Sequence, residues 1–387
     1  MPRSLDRCWL YVAIALFGVA FGANQFAPML RVYATLAGLS EATVAATFGV
    51  YAVGIAPGIL LGGPLSDRFG RPAVVFPAVV ISLAATAVLL GADTAEPLYL
   101  ARLLAGLASG LAFSAGSAWL FALSADAAPG VAGVRNGIAL TAGFGLGPLV
   151  TGSIVGLVEA PLVTPYLPHL ALMTVGLALL LRVPRSDARA RGAGRPVALL
   201  DVFRPSLPPR LGWFAPFAFG TAVMAFAALP AFGEPLSPAA AGVVTALTLG
   251  VGVATQPIAR RLGADRPDRL RRVGLGVSAA AFLLGAAYAS TARLPLLVAT
   301  CVAAGVAYGV NLLHGFVALG REPRGVEVAQ FYVAAYVGFA FPPAIVALGR
   351  AVPVGWVLVG FAAVALALAL ARPGRSAVGA DVCPSVV

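Results

Sequence analysis

Three groups of residues in this chain carry side chains able to do chemistry, and each sits in a strongly apolar context. The first lies in Gly62-Gly63-Pro64-Leu65-Ser66-Asp67-Arg68-Phe69-Gly70-Arg71. A carboxylate beside two guanidinium groups can make charge-assisted hydrogen bonds, which at a dry helix end are stronger than exposed ion pairs. The second is Arg102, inside the apolar run Leu98–Gly110. An ionised side chain there is costly in hydrocarbon and has to face protein or water, or snorkel to the nearby surface. The third is Tyr308, Asn311 and His314, whose three-residue spacing predicts roughly one helix face turned inward. Asn24 and Gln25, and Gln330, Tyr332 and Tyr336, are polar groups of the same kind.

Equally informative is the chemistry the chain does not offer. No Asp or Glu falls in the middle of an apolar run, and there is no phosphate-binding glycine loop, metal-ligand cluster or nucleophile elbow. Ser114 and Ser117 with His314 have no sequence context for a hydrolase. The reading is therefore a non-enzyme with no cofactor and no metal. His314 reads first as a hydrogen-bonded packing residue and second as a proton carrier, since imidazole titrates near neutrality. Any proton coupling would have to pass through Asp67, a helix-end acid such as Glu41, or His314.

The elements that must hold these groups follow from composition. The 387 residues are 60% hydrophobic and 11% charged, with a mean hydropathy of +0.94. That exceeds what one water-facing core needs, so most of the solvent must be lipid. The net charge of +11 does not indicate nucleic acid, because all 26 basic residues are arginines spread over short turns. The carboxylates sit in loops or at helix ends, as at Asp93, Glu96, Asp126, Glu159 and Glu234. Cys8, Cys301 and Cys383 form no disulfide pattern and read as free thiols.

Apolar runs long enough to cross a bilayer fall at 9–32, 41–62, 72–91, 97–121, 134–157 and 163–182. After a polar interval come 212–232, 239–258, 273–290, 295–319, 326–348 and 353–371. The first run, preceded by Arg3 and Arg7, outlasts a signal-peptide core and counts as a span. With an N-terminus inside, 22 arginines fall in loops on that side and only Arg31, Arg293 and Arg350 on the other. This bias predicts cytoplasmic termini at both ends of a multi-pass protein of the cell membrane. The expected organisation is an N-terminal six-helix bundle at 1–183, a cytoplasmic linker at 184–210, a C-terminal bundle at 211–372 and a disordered tail at 373–387. The linker could alternatively contact anionic lipid. A shift of 193 positions aligns Pro64–Gly70 with Pro257–Gly263, with Arg260 in place of Asp67, which supports an internal repeat.

Gly63, Leu65, Asp67, Arg68, Gly70 and Arg71 match the G-x-L-x-D-R-x-G-R-R loop between helices 2 and 3 of the major facilitator superfamily, with Pro72 replacing the last basic residue. The chain resembles that family over about residues 8–372. Leu98-Tyr99-Leu100-Ala101-Arg102-Leu103-Leu104-Ala105-Gly106 is similar to the helix 4 motif of its drug:proton antiporters, with Ala105 for glutamine. Gly143, Gly147, Pro148 and Gly152 fit the helix 5 antiporter motif, with Thr151 for a glycine. From residue type alone, Gly106 and Gly110 read as close-packing positions and the helix 5 glycines as a thin, bendable face.

The resemblance implies an all-α fold of twelve transmembrane helices in two pseudo-symmetric halves. It also implies a small-molecule substrate between the halves, lipid as the surrounding partner, possible protons as coupling ion and a monomeric state. Gly63, Asp67, Arg68, Gly70 and Arg71 would form a conformational latch, and Asn24, Arg102, Tyr308, Asn311 and His314 a substrate or proton path. Export by proton antiport is the expected direction. An uptake carrier or uniporter is the rival, and a membrane sensor a more distant one.

Overall fold

The computed structural model describes residues 7–184, 209–234, 236–263 and 266–371. The linker expected at 184–210 lies, apart from its ends, outside these residues, as does the tail expected at 373–387. All the regular structure described is helical. Its first half contains α1 (Cys8–Asn24), α2 (Glu41–Phe69), α3 (Pro72–Leu89), α4 (Ala95–Ala122), α5 (Val131–Val155) and α6 (Thr164–Leu180). The second half contains α7 (Leu211–Phe232), α8 (Pro238–Gly263), α9 (Pro267–Thr291), α10 (Leu294–Ala318), α11 (Gly325–Leu348) and α12 (Val354–Leu370). Nine of the described helices are long and apolar enough to span a bilayer, and α1, α6 and α12 are shorter apolar helices.

The packing repeats with an offset of six helices. In the first half α2 lies on α4, α1 on α5 and α3 on both α4 and α6. In the second, α8 lies on α10, α7 on α11 and α9 on both α10 and α12. The halves meet chiefly along α2 with α11 and α5 with α8, a pair of contacts that the same offset interchanges. Polarity is inverted relative to a protein in water. Gln25, Asn136, Thr141, His169, Gln256 and Asn311 are buried, while Trp213, Leu294, Trp356 and Leu370 are exposed on the outside. Only a solvent of hydrocarbon makes that arrangement favourable.

Glycines set the closest approaches. A Cβ on Gly58 would lie 2.6 Å from the Leu107 carbonyl oxygen, and one on Gly110 would lie 2.5 Å from that of Ile55. Gly106 and Gly110 are thus the close-packing face expected of them, against α2. In α5, Gly143 and Gly147 abut the Phe17 and Phe21 carbonyls of α1, and a Cβ on Gly242 of α8 would come 3.1 Å from the Pro148 carbonyl oxygen.

Two boundaries differ from expectation. The first run breaks after Asn24 and resumes as Met29–Leu36, where Pro28 has no amide hydrogen to continue the ladder. The Gly62–Arg71 stretch is not a turn along its whole length, because α2 continues to Phe69. Its glycines serve close approach rather than chain reversal. The reversal is made at Gly70, at φ +91°, a conformation that L residues with side chains rarely adopt.

Candidate functional site

The last turn of α2 reaches across to the other half. Asp67 is 6% exposed. One of its carboxylate oxygens, Oδ1, accepts the Gly325 amide at 2.8 Å, and Oδ2 accepts the Val326 amide at 3.0 Å. These are the first two residues of α11, whose leading N–H groups have no partner within the helix. A carboxylate there meets both unpaired donors and the positive end of the helix dipole. Glu327 completes the cap from within α11, with its Oε2 accepting the Arg324 amide at 3.0 Å and its Oε1 2.9 Å from the Arg324 guanidinium.

Local sequence explains why Asp67 reaches so far. Gly63 lies directly against Gly325, and a Cβ there would come within 2.7 Å of the Gly325 carbonyl carbon. The Ser66 hydroxyl is turned back onto the Gly63 carbonyl at 2.8 Å, so it does not compete for α11. Of the two arginines grouped with Asp67, Arg71 is buried beside it, whereas Arg68 is exposed and lies 5.2 Å from the Phe69 ring centre. Arg68 therefore stands apart from the contact. At the repeat-related place, Arg260 near the end of α8 donates to the Pro129 carbonyl at 3.4 Å, just ahead of α5. The position is kept while the charge is inverted, and this contact is longer and exposed.

Arg102, in α4, is 2% exposed. Its Nη1 donates to the Ala23 carbonyl at the end of α1, at 3.2 Å. The rings of Tyr51 and Phe26 flank its guanidinium, with centres 4.4 and 4.8 Å away. It does not snorkel. Asn24, one residue beyond Ala23, donates to the Phe144 carbonyl of α5 at 3.1 Å and is half-buried within its own half.

Between the halves lies a belt of hydroxyl and amide groups. Thr141 of α5 donates to the Tyr308 hydroxyl at 3.2 Å, and Gln256 of α8 donates to Thr141 at 3.4 Å. The Tyr332 hydroxyl accepts from Asn136 at 3.2 Å and lies 3.0 Å from the Ser117 hydroxyl of α4. Phe219 of α7 packs on Tyr308, Tyr332 and Tyr336 with ring centres 5.1–6.5 Å apart. The interior is thus aromatic, with hydroxyl edges.

The expected common face of Tyr308, Asn311 and His314 is corrected by these contacts. Tyr308 faces α5, Asn311 donates to Ser278 of α9 at 3.0 Å, and His314 packs at a tilt on Phe214 of α7, with ring centres 4.5 Å apart. Each three-residue step lags the helix by about 60°, so two steps spread the set over about 120°. Of the five residues expected on the substrate or proton path, the structure brings Asn24 and Arg102 together beside Ala23 and sets Tyr308 in the belt. Asn311 and His314 point elsewhere.

Sequence reasoning missed Tyr51, Asn136, Thr141 and Gln256, and it passed over His169. That imidazole is fully buried in α6, wedged against Gly22 of α1. Its Nε2 meets the Gly18 carbonyl at 3.1 Å, and its Nδ1 meets Thr86 at 2.8 Å, which in turn accepts from Gln25 at 3.0 Å. A carbonyl only accepts, so Nε2 carries the hydrogen. Both nitrogens are occupied, and His169 is a packing residue.

A family model described as Major Facilitator Superfamily matches residues 12–321. No match is found among curated proteins. Among solved structures, the chain is similar to the MFS proton:xylose symporter XylE bound to 6-bromo-6-deoxy-D-glucose. The TM-score is 0.72 at 15% identity, covering 95% of this chain and 94% of that one. It is also similar to the human organic anion transporter MFSD10 (TETRAN), with a TM-score of 0.71 at 18% identity over 95% and 99% of the two chains. Both are likenesses of fold.

Proposed function

This chain belongs to the major facilitator superfamily, whose fold serves secondary transport of small molecules, and from that premise we propose that it exports a hydrophobic or amphipathic compound across the cell membrane in exchange for protons. The observation that carries the reading is the Asp67 carboxylate of one half holding the first two amides of α11 in the other. A bond set of this kind forms when one end of the bundle is shut and breaks when that end opens. A difference of a few kcal/mol between two states is enough to bias alternating access.

The arginine bias assigns the Asp67 end and both termini to the cytoplasm. In the described conformation the α2 and α11 ends are joined there. The division into bundles at 1–183 and 211–372, joined by a linker at 184–210 and followed by a tail at 373–387, lets a monomer rock as two bodies. The α4 and α5 motifs favour export, and the aromatic belt suits an apolar cargo. Asp67 is the foremost candidate for coupling to protons, because a protonated carboxyl no longer accepts two amides as an anion.

One observation favours a second reading. Acidic residues of the described helices stand at their ends, as at Asp67, Glu96, Asp268 and Glu327, and none lies mid-span. That suits a uniporter or uptake carrier with no proton step. A compound panel in a strain lacking its own pumps separates the readings. Export predicts lower accumulation, reversed by an uncoupler and by Asp67→Asn. Uncoupler-insensitive entry would sink the antiport reading in favour of uptake.

A further inference from the structure

Arg102 is a buried cation whose counter-charge is missing from the described residues. A guanidinium owns five N–H donors, and one hydrogen bond is made here, from Nη1 to the Ala23 carbonyl. Its Nε is buried without a partner. The groups facing it are rings and a carbonyl: Tyr51 from α2, Phe26 beyond α1, Tyr166 from α6, and Ala23. No described carboxylate forms an ion pair with it. An unpaired charge away from water is expensive to keep, and such residues in membrane proteins face a partner or a pathway.

The geometry also limits what that partner can be. The rings of Tyr51 and Phe26 take up two approaches to the guanidinium, and the donor left without a partner is Nε, on the edge of the fork. A carboxylate meets that edge with two parallel hydrogen bonds. From Arg102 the wall continues into the other half. Tyr51 comes beside Tyr336 of α11, and Tyr336 lies 4.9 Å from the Phe339 ring centre and 5.1 Å from that of Phe219. A charged fork in one half thus adjoins an aromatic surface in the other.

We propose that Arg102 is the anion-recognising group of the transport site, and that the cargo is an organic carboxylate with a flat apolar body lying along Tyr51 and Tyr336. The cargo supplies the counter-charge that the protein omits. Because Tyr51 and Tyr336 belong to different halves, a ligand spanning them also senses whether the halves are together. This assignment rests on the transport reading above and narrows it from amphipathic compounds in general to anionic ones.

The test uses the purified full-length chain in detergent with three probes of one shape: 1-naphthoate, the neutral 1-naphthamide and the cationic 1-naphthylmethylammonium. Equilibrium binding and thermal unfolding are measured for each. Wild type is expected to bind the naphthoate at least about tenfold tighter than the amide, the scale of one charge-assisted contact. Arg102→Gln should erase that preference, and Arg102→Lys should keep part of it. Equal binding of all three probes by wild type overturns the proposal without any variant, so a poorly folded Arg102→Gln cannot shelter it. A preference for naphthoate that survives in a folded Arg102→Gln also overturns it. Asp67-dependent flux of neutral or cationic compounds with no naphthoate preference would sink the anion site and leave transport standing. Arg102-dependent naphthoate binding with no flux of any compound would do the reverse.

Discussion

Replacing Asp67 with Asn changes almost no volume and removes one acceptor, which makes it the sharpest probe of the contact between the halves. The wild-type carboxylate takes the Gly325 amide at 2.8 Å and the Val326 amide at 3.0 Å. An Asn side chain accepts one of them and turns an NH2 group toward the other. A buried amide left without an acceptor costs about 1–3 kcal/mol. Loss of the negative charge from the start of α11 removes about a further 1 kcal/mol of dipole interaction. The sum of roughly 2–4 kcal/mol moves the equilibrium between joined and parted α2 and α11 ends by roughly 30- to 700-fold. Spin labels at Phe69 and Glu322, both exposed, in a background without the native cysteines, report that distance by pulsed EPR. The short-distance population should fall steeply in Asp67→Asn and stay unchanged in Arg68→Ala, because Arg68 is exposed and outside the contact. An unchanged distribution in Asp67→Asn would refute the reasoning, since two buried hydrogen bonds cannot be altered without consequence if they hold the ends together.

Three other outcomes follow from the packing. Gly63→Val should part the same ends with Asp67 intact, because its Cβ would fall within 2.7 Å of Gly325 backbone; the same labels read it. Gly110→Leu forces α4 off α2, where a Cβ already meets the Ile55 carbonyl oxygen at 2.5 Å, and should cost about 1–3 kcal/mol or more, seen as a lower unfolding temperature in detergent. Tyr332→Phe strips the acceptor from the Asn136 amide and should cost about 1–3 kcal/mol, lowering transport in a protein that still elutes as a folded species.

The twelve helices were legible because lipid leaves so little choice: a segment within it must be an apolar helix that satisfies its own backbone. Even the shorter α1, α6 and α12 keep that composition. Asp67 was legible because a lone carboxylate among glycines at the end of such a run has few other uses. Its partner was not, since nothing local marks Gly325 and Val326 as the amides it takes 258 and 259 positions away. The central belt was hidden for a different reason. A hydroxyl in a membrane helix can bond the carbonyl four residues back, as Thr245, Thr248 and Thr255 do, so Thr141 looks no different from them in sequence. Helices that are apolar all round carry no stripe to fix rotation, which is why Tyr308, Asn311 and His314 were given one face and meet three different helices.

The second carboxylate at the head of α11 decides what kind of motion opening must be. Glu327 belongs to α11 itself, and its bonds to the Arg324 amide and guanidinium involve no atom of Asp67. On the cycle proposed above, the helix leaves with its own stopper in place when the halves separate, and only the Gly325 and Val326 amides are newly wetted. No turn has to unravel and rewind on each cycle. The joint behaves as a detachable coupling between two finished parts, and reclosing requires alignment rather than refolding.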